Sequence, residues 1–396
     1  MKIAVLGGTG IVGSGVVKDL LSEWSSSVSQ VLVIGRNLKK LENLKQTLGD
    51  ERVSIEVADA TDKLTLARIL RGIEACVNAA QYNVNLNVME ACLEAETPYL
   101  DLGGMYYTTL EQKKLHGKFV ERGVPAILGM GSAPGSTNIL AKYAADQLDS
   151  VEKVKIYDAI KVVGPESEVF VPPYSIRTLL EEYSAESVQF IDGEFRKVPP
   201  CSGKEIIDFP APFGKIECYY TLHSEIATLP YSLKVKGVRE VTWKLGQPED
   251  IKRVAASLVA VGFGIVKKVR LNNMVIEPVD FLEALIQQNI EEYQKKTKFK
   301  AEESQSYEII RVFVMGRKNN KETTYTVDLI KEPLKEYEGI NDPMTSMPAS
   351  IGAQMLARGE IPPGVWAPEE CVDTNKFFEE MIKRKFKIIC SISTKV

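Results

Sequence analysis

The chain has 396 residues, 44% hydrophobic and 26% charged, with a formal net charge of −4. This is the composition of an ordinary globular protein of about two domains, and its slight acidity recommends neither nucleic acid nor an anionic membrane as partner. Six scattered cysteines without a CxxC spacing, and only two histidines (His116 and His223), argue against a metal centre and for reduced thiols in a cytoplasmic protein.

The first apolar run, Ile3 to Leu6, reads as a buried strand, and no leader is expected ahead of it. Gly8-x-Gly10-x-x-Gly13 follows, and then Val16, Val17, Leu20 and Leu21 recur at helical spacing. Strand, glycine turn and helix in that order form the context of a dinucleotide site. Gly8 permits a tight turn, Gly10 lets the backbone approach a pyrophosphate, and Gly13 lets helix and strand pack closely. The helix N-terminus supplies N–H groups to the anion, so Gly8, Thr9, Gly10, Ile11 and Val12 are assigned to the cofactor.

Val31 to Ile34 is the second strand, followed by a helix over 38–48. An NAD site carries an acid near this strand end. Here none lies between Trp24 and Leu41; Arg36 stands where a 2′-phosphate would sit, with Asn37, Lys39 and Lys40 behind it. A guanidinium grips phosphate in bidentate fashion, which favours NADP(H). In the alternative, Arg36 stacks on the adenine and NAD(H) binds as well.

Val53 to Val57 is a third strand, and Asp59-Ala60 at its end meets the adenine edge. After a helix over 63–71, the fourth strand (75–80) ends in Asn78-Ala79-Ala80, small enough to pass beside the nicotinamide ribose. A helix over 84–96 precedes a fifth strand, 98–101, which carries Asp101 into Gly103-Gly104. A helix over 113–122 and a strand over 124–128 lead to Gly131-Ser132-Ala-Pro-Gly-Ser-Thr-Asn138, where Ser136 or Thr137 caps a helix to 148. Alternating strands and helices imply a Rossmann-type, doubly wound parallel sheet over 1–150, an α/β domain. Ligands of such sheets lie beyond the carboxyl ends of the strands, which directs Asp101 and Ser132 toward substrate or nicotinamide. The plainer role for Asp101 is to hold the Gly103-Gly104 turn.

Past residue 150 the pattern changes. A strand over 151–163 is followed by strands near Phe190, 218–222, 234–243, 311–315 and 325–330, and by helices over 176–183, 248–262 and 278–295. The run Val254 to Val266 is too short to span a bilayer and is expected as a buried helix. Together these imply an α+β domain on a mostly antiparallel sheet. A final helix starts at Thr345 or Ser346, carries Pro348 in its first turn and ends at Gly359; Ala349, Gly352 and Ala353 suit close packing.

The chain resembles the saccharopine dehydrogenase family, with its lysine 6-dehydrogenase and carboxynorspermidine dehydrogenase relatives. The stretches that carry the resemblance are Gly7-Gly-Thr-Gly-Ile-Val-Gly13, Val88 to Cys92 with Tyr99 to Leu102, and Gly131 to Asn138. Tyr174 to Thr178, His223 to Pro230, and Gly364-Val-Trp-Ala-Pro-Glu369 complete it. The resemblance implies a discontinuous NADP domain of 1–150 plus 342–396, and a middle domain, 151–341, that binds the amino-acid substrate and forms a homodimer contact. It implies hydride transfer at the C–N bond of an amino acid or its imine, with lysine 6-dehydrogenase-type deamination as the alternative.

Such chemistry needs a proton carrier at nitrogen and partners for the substrate's carboxylate. His223 is the candidate carrier, since imidazole titrates near neutral pH. It is read on the polar face of a strand with Tyr219, Thr221 and Glu225, where Glu225 orients the ring or holds an ammonium. His116 reads as a surface residue. Arg177 is the candidate for a substrate carboxylate, or else pairs with Glu181 on its own helix. Tyr157-Asp-Ala-Ile-Lys161 matches the Tyr-x-x-x-Lys pair of short-chain dehydrogenases, but the stretch reads as a strand, where the two side chains stand ~13 Å apart. A non-catalytic NADP(H) sensor would need the glycine loop and Arg36 alone.

Overall fold

The computed structural model describes residues 1–164, 169–297 and 305–395. In chain order the first half runs β1 (Lys2–Leu6), α1 (Ile11–Leu21), β2 (Gln30–Gly35), α2 (Leu38–Leu48), β3 (Val53–Val57), α3 (Lys63–Leu70), β4 (Ala75–Asn78), α4 (Asn85–Ala95), β5 (Tyr99–Asp101), α5 (Met105–Lys113), α6 (His116–Glu121), β6 (Pro125–Ile127) and α7 (Ser136–Asp146). It continues through β7 (Ser150–Val163), α8 (Ile176–Ser184), β8 (Ser187–Ile191), β9 (Glu194–Val198), β10 (Glu205–Phe209), β11 (Gly214–Tyr220), α9 (Leu229–Ser232), β12 (Glu240–Gly246), α10 (Glu249–Ala260), β13 (Val269–Leu271), β14 (Met274–Ile276) and α11 (Pro278–Thr297). The chain ends with β15 (Gln305–Lys318), β16 (Lys321–Lys331), α12 (Pro343–Ala357), β17 (Gly364–Trp366), α13 (Pro368–Cys371), α14 (Thr374–Lys383) and β18 (Lys387–Thr394).

Two compact units divide the chain: residues 1–156, 223–241 and 310–396 form the first, and 157–222 with 242–309 the second. Three of the four divisions fall inside β7, β12 and β15, and the fourth lies between Leu222 and His223, past the end of β11. Residues 223–241 and 310–341, expected in a middle domain, therefore group with the nucleotide-type sheet.

In the first unit a sheet runs in the order β17-β6-β5-β4-β1-β2-β3, and every pair in it is parallel. The order 3-2-1-4-5-6 is that of the Rossmann fold. Its central strands are buried on both faces and so are short, largely apolar runs, whereas the edge strand β3 is partly exposed. The helix α12 packs against α1, β4 and β5. It accepts this contact because Gly352 faces Leu100 and Met130, where a Cβ would come within 2.6 Å of both side chains.

The second unit has a helical core in which α8 packs on α10 and α11 through Ile176, Leu179, Leu180, Ala255, Val279 and Leu282. Antiparallel pairs β8–β9, β10–β11 and β11–β12 form its share of a mixed sheet. The run 254–266 is not a buried helix: α10 stops at Ala260, only Ala255 in it is buried, and Val261 and Ile265 are 74% and 58% exposed. Among the described residues no helix is long and apolar enough to cross a membrane.

Several elements depart from the sequence expectation. The helix expected over 113–122 is the shorter α6, and α5 ahead of it is not expected; the residues α5 buries include Thr109 and Gln112, so no apolar stripe announces it. The N-cap of α12 is Asp342, with Pro343 in the first turn, so Pro348 lies inside the helix and not near its start. The strand β18 pairs with β16 over eight residues yet is exposed along nearly its whole length, and so lacks an alternating pattern.

The C-terminal segment is tied to the first by a buried ion pair. Arg384 and Asp19 side chains are both 0% exposed. Arg384 donates Nε to Asp19 Oδ1 at 2.9 Å and Nη2 to Asp19 Oδ2 at 3.0 Å and to Ser25 Oγ at 3.1 Å, while Nη1 meets Glu380. Removing one partner of a buried pair strands the other charge without solvent. Arg384→Ala should therefore cost ~3–5 kcal/mol in denaturant unfolding; a loss below ~1 kcal/mol would show that water reaches Asp19.

Candidate active site

The nucleotide end is built by backbone proximity. Gly7, not Gly8, takes the left-handed conformation (φ +78°), and a Cβ there would sit 2.9 Å from the Ala79 carbonyl. Gly8 instead lies against Val33, and a Cβ on Gly13 would stand 2.3 Å from the Gly7 carbonyl oxygen. Turn, helix and the end of β4 at Ala79-Ala80 are thus in mutual contact. Gly10 is the N-cap of α1 with no side chain capping it, and Ile11 is exposed. The first N–H groups of α1 therefore suit an anion. Beside them a pocket of about 480 Å³ is lined by Thr9, Arg36, Asn37 and Lys40. Asn37 caps α2, its Oδ1 accepting from Lys40 N at 3.1 Å. Asp59 closes its own turn on Thr61 N (2.8 Å) and Oγ1 (2.7 Å). Those bonds first, and the charge of Arg36 last, hold its carboxyl below the usual range. Ala60 offers its carbonyl to Asn87 Nδ2. The donors and cations here fit the pyrophosphate and ribose of a dinucleotide.

Asp101 is 1% exposed and is no open acid. Its Oδ1 accepts from Gly103 N (2.9 Å) and Gly129 N (2.7 Å). Its Oδ2 accepts from Gln112 Nε2 (2.5 Å), Tyr99 OH (2.9 Å) and Asn85 Nδ2 (3.1 Å). Burial pushes its pKa up against those five donors. The catalytic expectation is corrected: Asp101 holds the Gly103 turn and the Gly129 turn, with both oxygens committed.

The segment after β11 carries the second half of the site. The strand ends at Tyr220, so His223 stands on a loop and Glu225 opens a short 3-10 turn (Glu225–Ala227), which corrects the expected strand. Apposition of the two side chains survives: His223 Nδ1 and Glu225 Oε2 are 2.5 Å apart, with the side chains 10% and 0% exposed. The loop lies beside the end of β5, where a Cβ on Gly103 would be 3.6 Å from Ser224 Oγ. Glu225 Oε1 accepts from Thr137 Oγ1 at 2.8 Å. Asn138 Nδ2 donates to Glu369 Oε2 at 2.8 Å and to Thr228 Oγ1 at 3.2 Å, and Ser232 Oγ donates to Glu369 Oε1 at 3.2 Å. Burial first, then the charge of Glu370, pushes the Glu369 carboxyl up to about 7.

Thr137, Asn138 and Glu369 were not singled out as site residues, although the stretches Gly131–Asn138 and Gly364–Glu369 that contain them were. The α7 cap is also revised: Ser136 and Thr137 lie inside the helix, Gly135 is the N-cap, and Asn138 Oδ1 accepts from Gly135 N at 3.1 Å. Ser132 is buried in the preceding turn.

The remaining candidates lie elsewhere. Arg177, in the second unit, pairs with Glu277 (3.3 Å) and Asp280 (2.5 Å) at the start of α11, and not with Glu181. Tyr157 and Lys161 stand on β7; the phenol donates to Glu205 Oε2 at 2.9 Å and the ammonium to the Pro212 carbonyl at 2.6 Å, so they form no catalytic pair. His116 is a docking residue, corrected from a surface one: Val365 N donates to its Nδ1 at 3.2 Å and its ring meets Trp366 edge-on. Among the described residues no group of His, Cys, Asp and Glu could hold a metal.

Asp101→Asn turns an N–H₂ toward groups that themselves donate. It should cost roughly 3 kcal/mol of stability, while folded enzyme keeps its turnover within about tenfold. Loss of a general acid would instead cost ~10²–10⁴ in rate, so melting and kcat measured together separate the two.

Comparison with known proteins identifies the family and the fold. Residues 3–127 match the saccharopine dehydrogenase NADP binding domain and residues 131–386 the saccharopine dehydrogenase C-terminal domain. Carboxyaminopropylagmatine dehydrogenase from Synechocystis sp. is 23% identical over 94% of this chain and 94% of its own length. Carboxynorspermidine synthase from Vibrio alginolyticus is 23% identical over 90% of this chain and 87% of its own. The solved structure of saccharopine dehydrogenase (L-Glu forming) from Saccharomyces cerevisiae shares the fold, with a TM-score of 0.68 at 15% identity over 100% of each chain. The chain belongs to the saccharopine dehydrogenase family, and it is an oxidoreductase that works with a nicotinamide cofactor at a C–N bond.

Proposed function

We propose that this protein transfers hydride between NADP(H) and the C–N bond of an amino acid or its imine. The first substrates to test are the carboxylated polyamine types named in its relatives, carboxyaminopropylagmatine and carboxynorspermidine. The observation that carries the reading is the His223–Glu225 pair at the carboxyl end of β5, in the same unit as the glycine turn.

When bound, the nicotinamide supplies or accepts the hydride. The first N–H groups of α1 bind the pyrophosphate, and Arg36 with Lys40 supplies cations for a 2′-phosphate. Glu225 accepts the Nδ1 proton of His223, which makes Nε2 the nitrogen that exchanges a proton with the substrate amine. Thr137 holds the other oxygen of Glu225 and so fixes the ring plane. A homodimer and a cytoplasmic setting belong to the same proposal; the exposed apolar residues of the second unit, such as Met274 and Phe281, support the former.

The test is direct. NADPH oxidation is followed with the imines of both polyamine types, and NADP+ reduction with saccharopine and lysine at alkaline pH. Tight NADPH binding with no turnover on any of them would favour a sensor. His223→Asn should lower kcat at least ~10²-fold with NADPH affinity nearly unchanged; normal turnover in this variant ends the reading. Arg36→Asp should shift the ratio of NADPH to NADH Kd toward NADH by about tenfold or more, because a carboxylate repels the phosphate. An unchanged ratio would place the 2′-phosphate elsewhere.

A further inference from the structure

We propose that Glu369 is a positioning residue for the His223–Glu225 pair, acting on it through Asn138 and Thr137. The inference rests on the reading of His223 as proton carrier. It adds a residue 144 positions beyond Glu225 in sequence, on a segment the reaction otherwise leaves unused.

The chain of contacts is continuous and lies wholly within the first unit. Asn138 is saturated: both Nδ2 hydrogens are taken, by Glu369 Oε2 and Thr228 Oγ1, and Oδ1 accepts from Gly135 N. Its amide orientation is therefore set by Glu369 at one end and by the α7 N-cap at the other. Thr137 stands next along, and its hydroxyl has one hydrogen for two acceptors, Glu225 Oε1 at 2.8 Å and Asn138 Oδ1 at 3.2 Å. The shorter contact, to a carboxylate, prevails. An ionised Glu369 polarises the Asn138 amide and makes Oδ1 the better acceptor, which draws the Thr137 hydrogen away from Glu225. Glu225 then holds the imidazolium more strongly. A neutral Glu369 does the reverse.

The surroundings of Glu369 keep its charge in play. Glu370 lies beside it, paired with Lys113 at 2.6 Å yet still raising its carboxyl, Cys371 follows on the same short helix, and Thr228 and Ser232 face it from the segment that carries His223. With the carboxyl raised to about 7, its ionisation is unfavourable in the fold. The stability it contributes is complete below the ordinary carboxyl range, near pH 4.5, and is lost as pH rises to about 7.

The experiment measures kcat against pH for NADPH-dependent reduction, with KM for NADPH and melting temperature, in wild type, Glu369→Gln, Thr137→Val and the double variant. Glu369→Gln should move the basic limb of the profile down by about half a pH unit or more and lower kcat above neutrality about threefold or more, with KM for NADPH unchanged. Its melting temperature should gain on that of the wild type as pH rises from about 5 to 8. In the Thr137→Val background the second substitution should leave the limb where Thr137→Val alone put it. An unchanged profile in Glu369→Gln, or additive shifts in the double variant, overturns the proposal and leaves Glu369 a clasp between segments. Should Glu369→Gln fail to fold, Ser232→Ala takes its place: it removes one donor to Glu369 and must shift the limb in the same direction, and no shift overturns the proposal. Normal turnover in His223→Asn would instead overturn the function itself, whatever Glu369 does.

Discussion

A carboxylate without water organises the first unit. Asp101 at the end of β5 has exchanged solvent for five protein donors, two backbone and three side-chain. Each donor comes from a different place: the Gly103 turn, the Gly129 turn, β5 itself, the start of α4 and the end of α5. Desolvating a charge costs several kcal/mol, and this arrangement offsets that cost only while all five stay in position. The consequence is geometric. The Gly129 turn leads into 131–138, which places Thr137 and Asn138, and those two hold Glu225 and Glu369. A structural acid at the strand end thereby positions the two carboxylates around Thr137 and Asn138.

The two halves of the site obey different physics. At the nucleotide end the requirement is close approach of backbone to backbone, met by leaving out Cβ atoms at Gly7 and Gly13. At the proton-handling end the requirement is a low dielectric with every polar atom assigned a partner, met by Thr, Asn and Glu side chains from three distant segments. The first leaves an open pocket edged by Arg36 and Lys40; the second is largely closed to solvent, with Glu225 and Thr137 fully buried.

This contrast explains what was legible in the sequence. The strands of 1–127 announce themselves because those buried on both faces, β1 and β2 above all, are unbroken apolar runs, while the edge strand β3 alternates and is partly exposed. The glycine motif falls inside the stretch that matches the NADP binding domain, yet the left-handed position falls on Gly7, one residue before the first glycine of the pattern, since spacing alone does not say which glycine turns. His223 and Glu225 are two apart on a strand in a periodicity reading; in the fold the strand has already ended, and a 3-10 turn brings them together. Arg177 looked like a carboxylate ligand because its acidic partners, Glu277 and Asp280, are about a hundred residues away. Asn138 and Glu369 are separated by 231 positions, and no local pattern encodes that contact. The C-terminal strands escaped for a simpler reason: β17 has three residues and β18 is exposed on both sides.

The closure of the chain on itself has a temporal side. The outermost strand of the parallel sheet, β17, pairs with β6 only after some 240 further residues have been made, and Arg384 meets Asp19 across 365 positions. At ribosomal rates of ~5–20 residues per second, Asp19 waits on the order of tens of seconds for its counterion. Through that interval the nascent nucleotide sheet has an open edge at β6 and a carboxylate that cannot yet be buried. Vectorial synthesis thus delivers the glycine turn first and the means of locking it last, so that a truncated chain is left with an unfinished sheet.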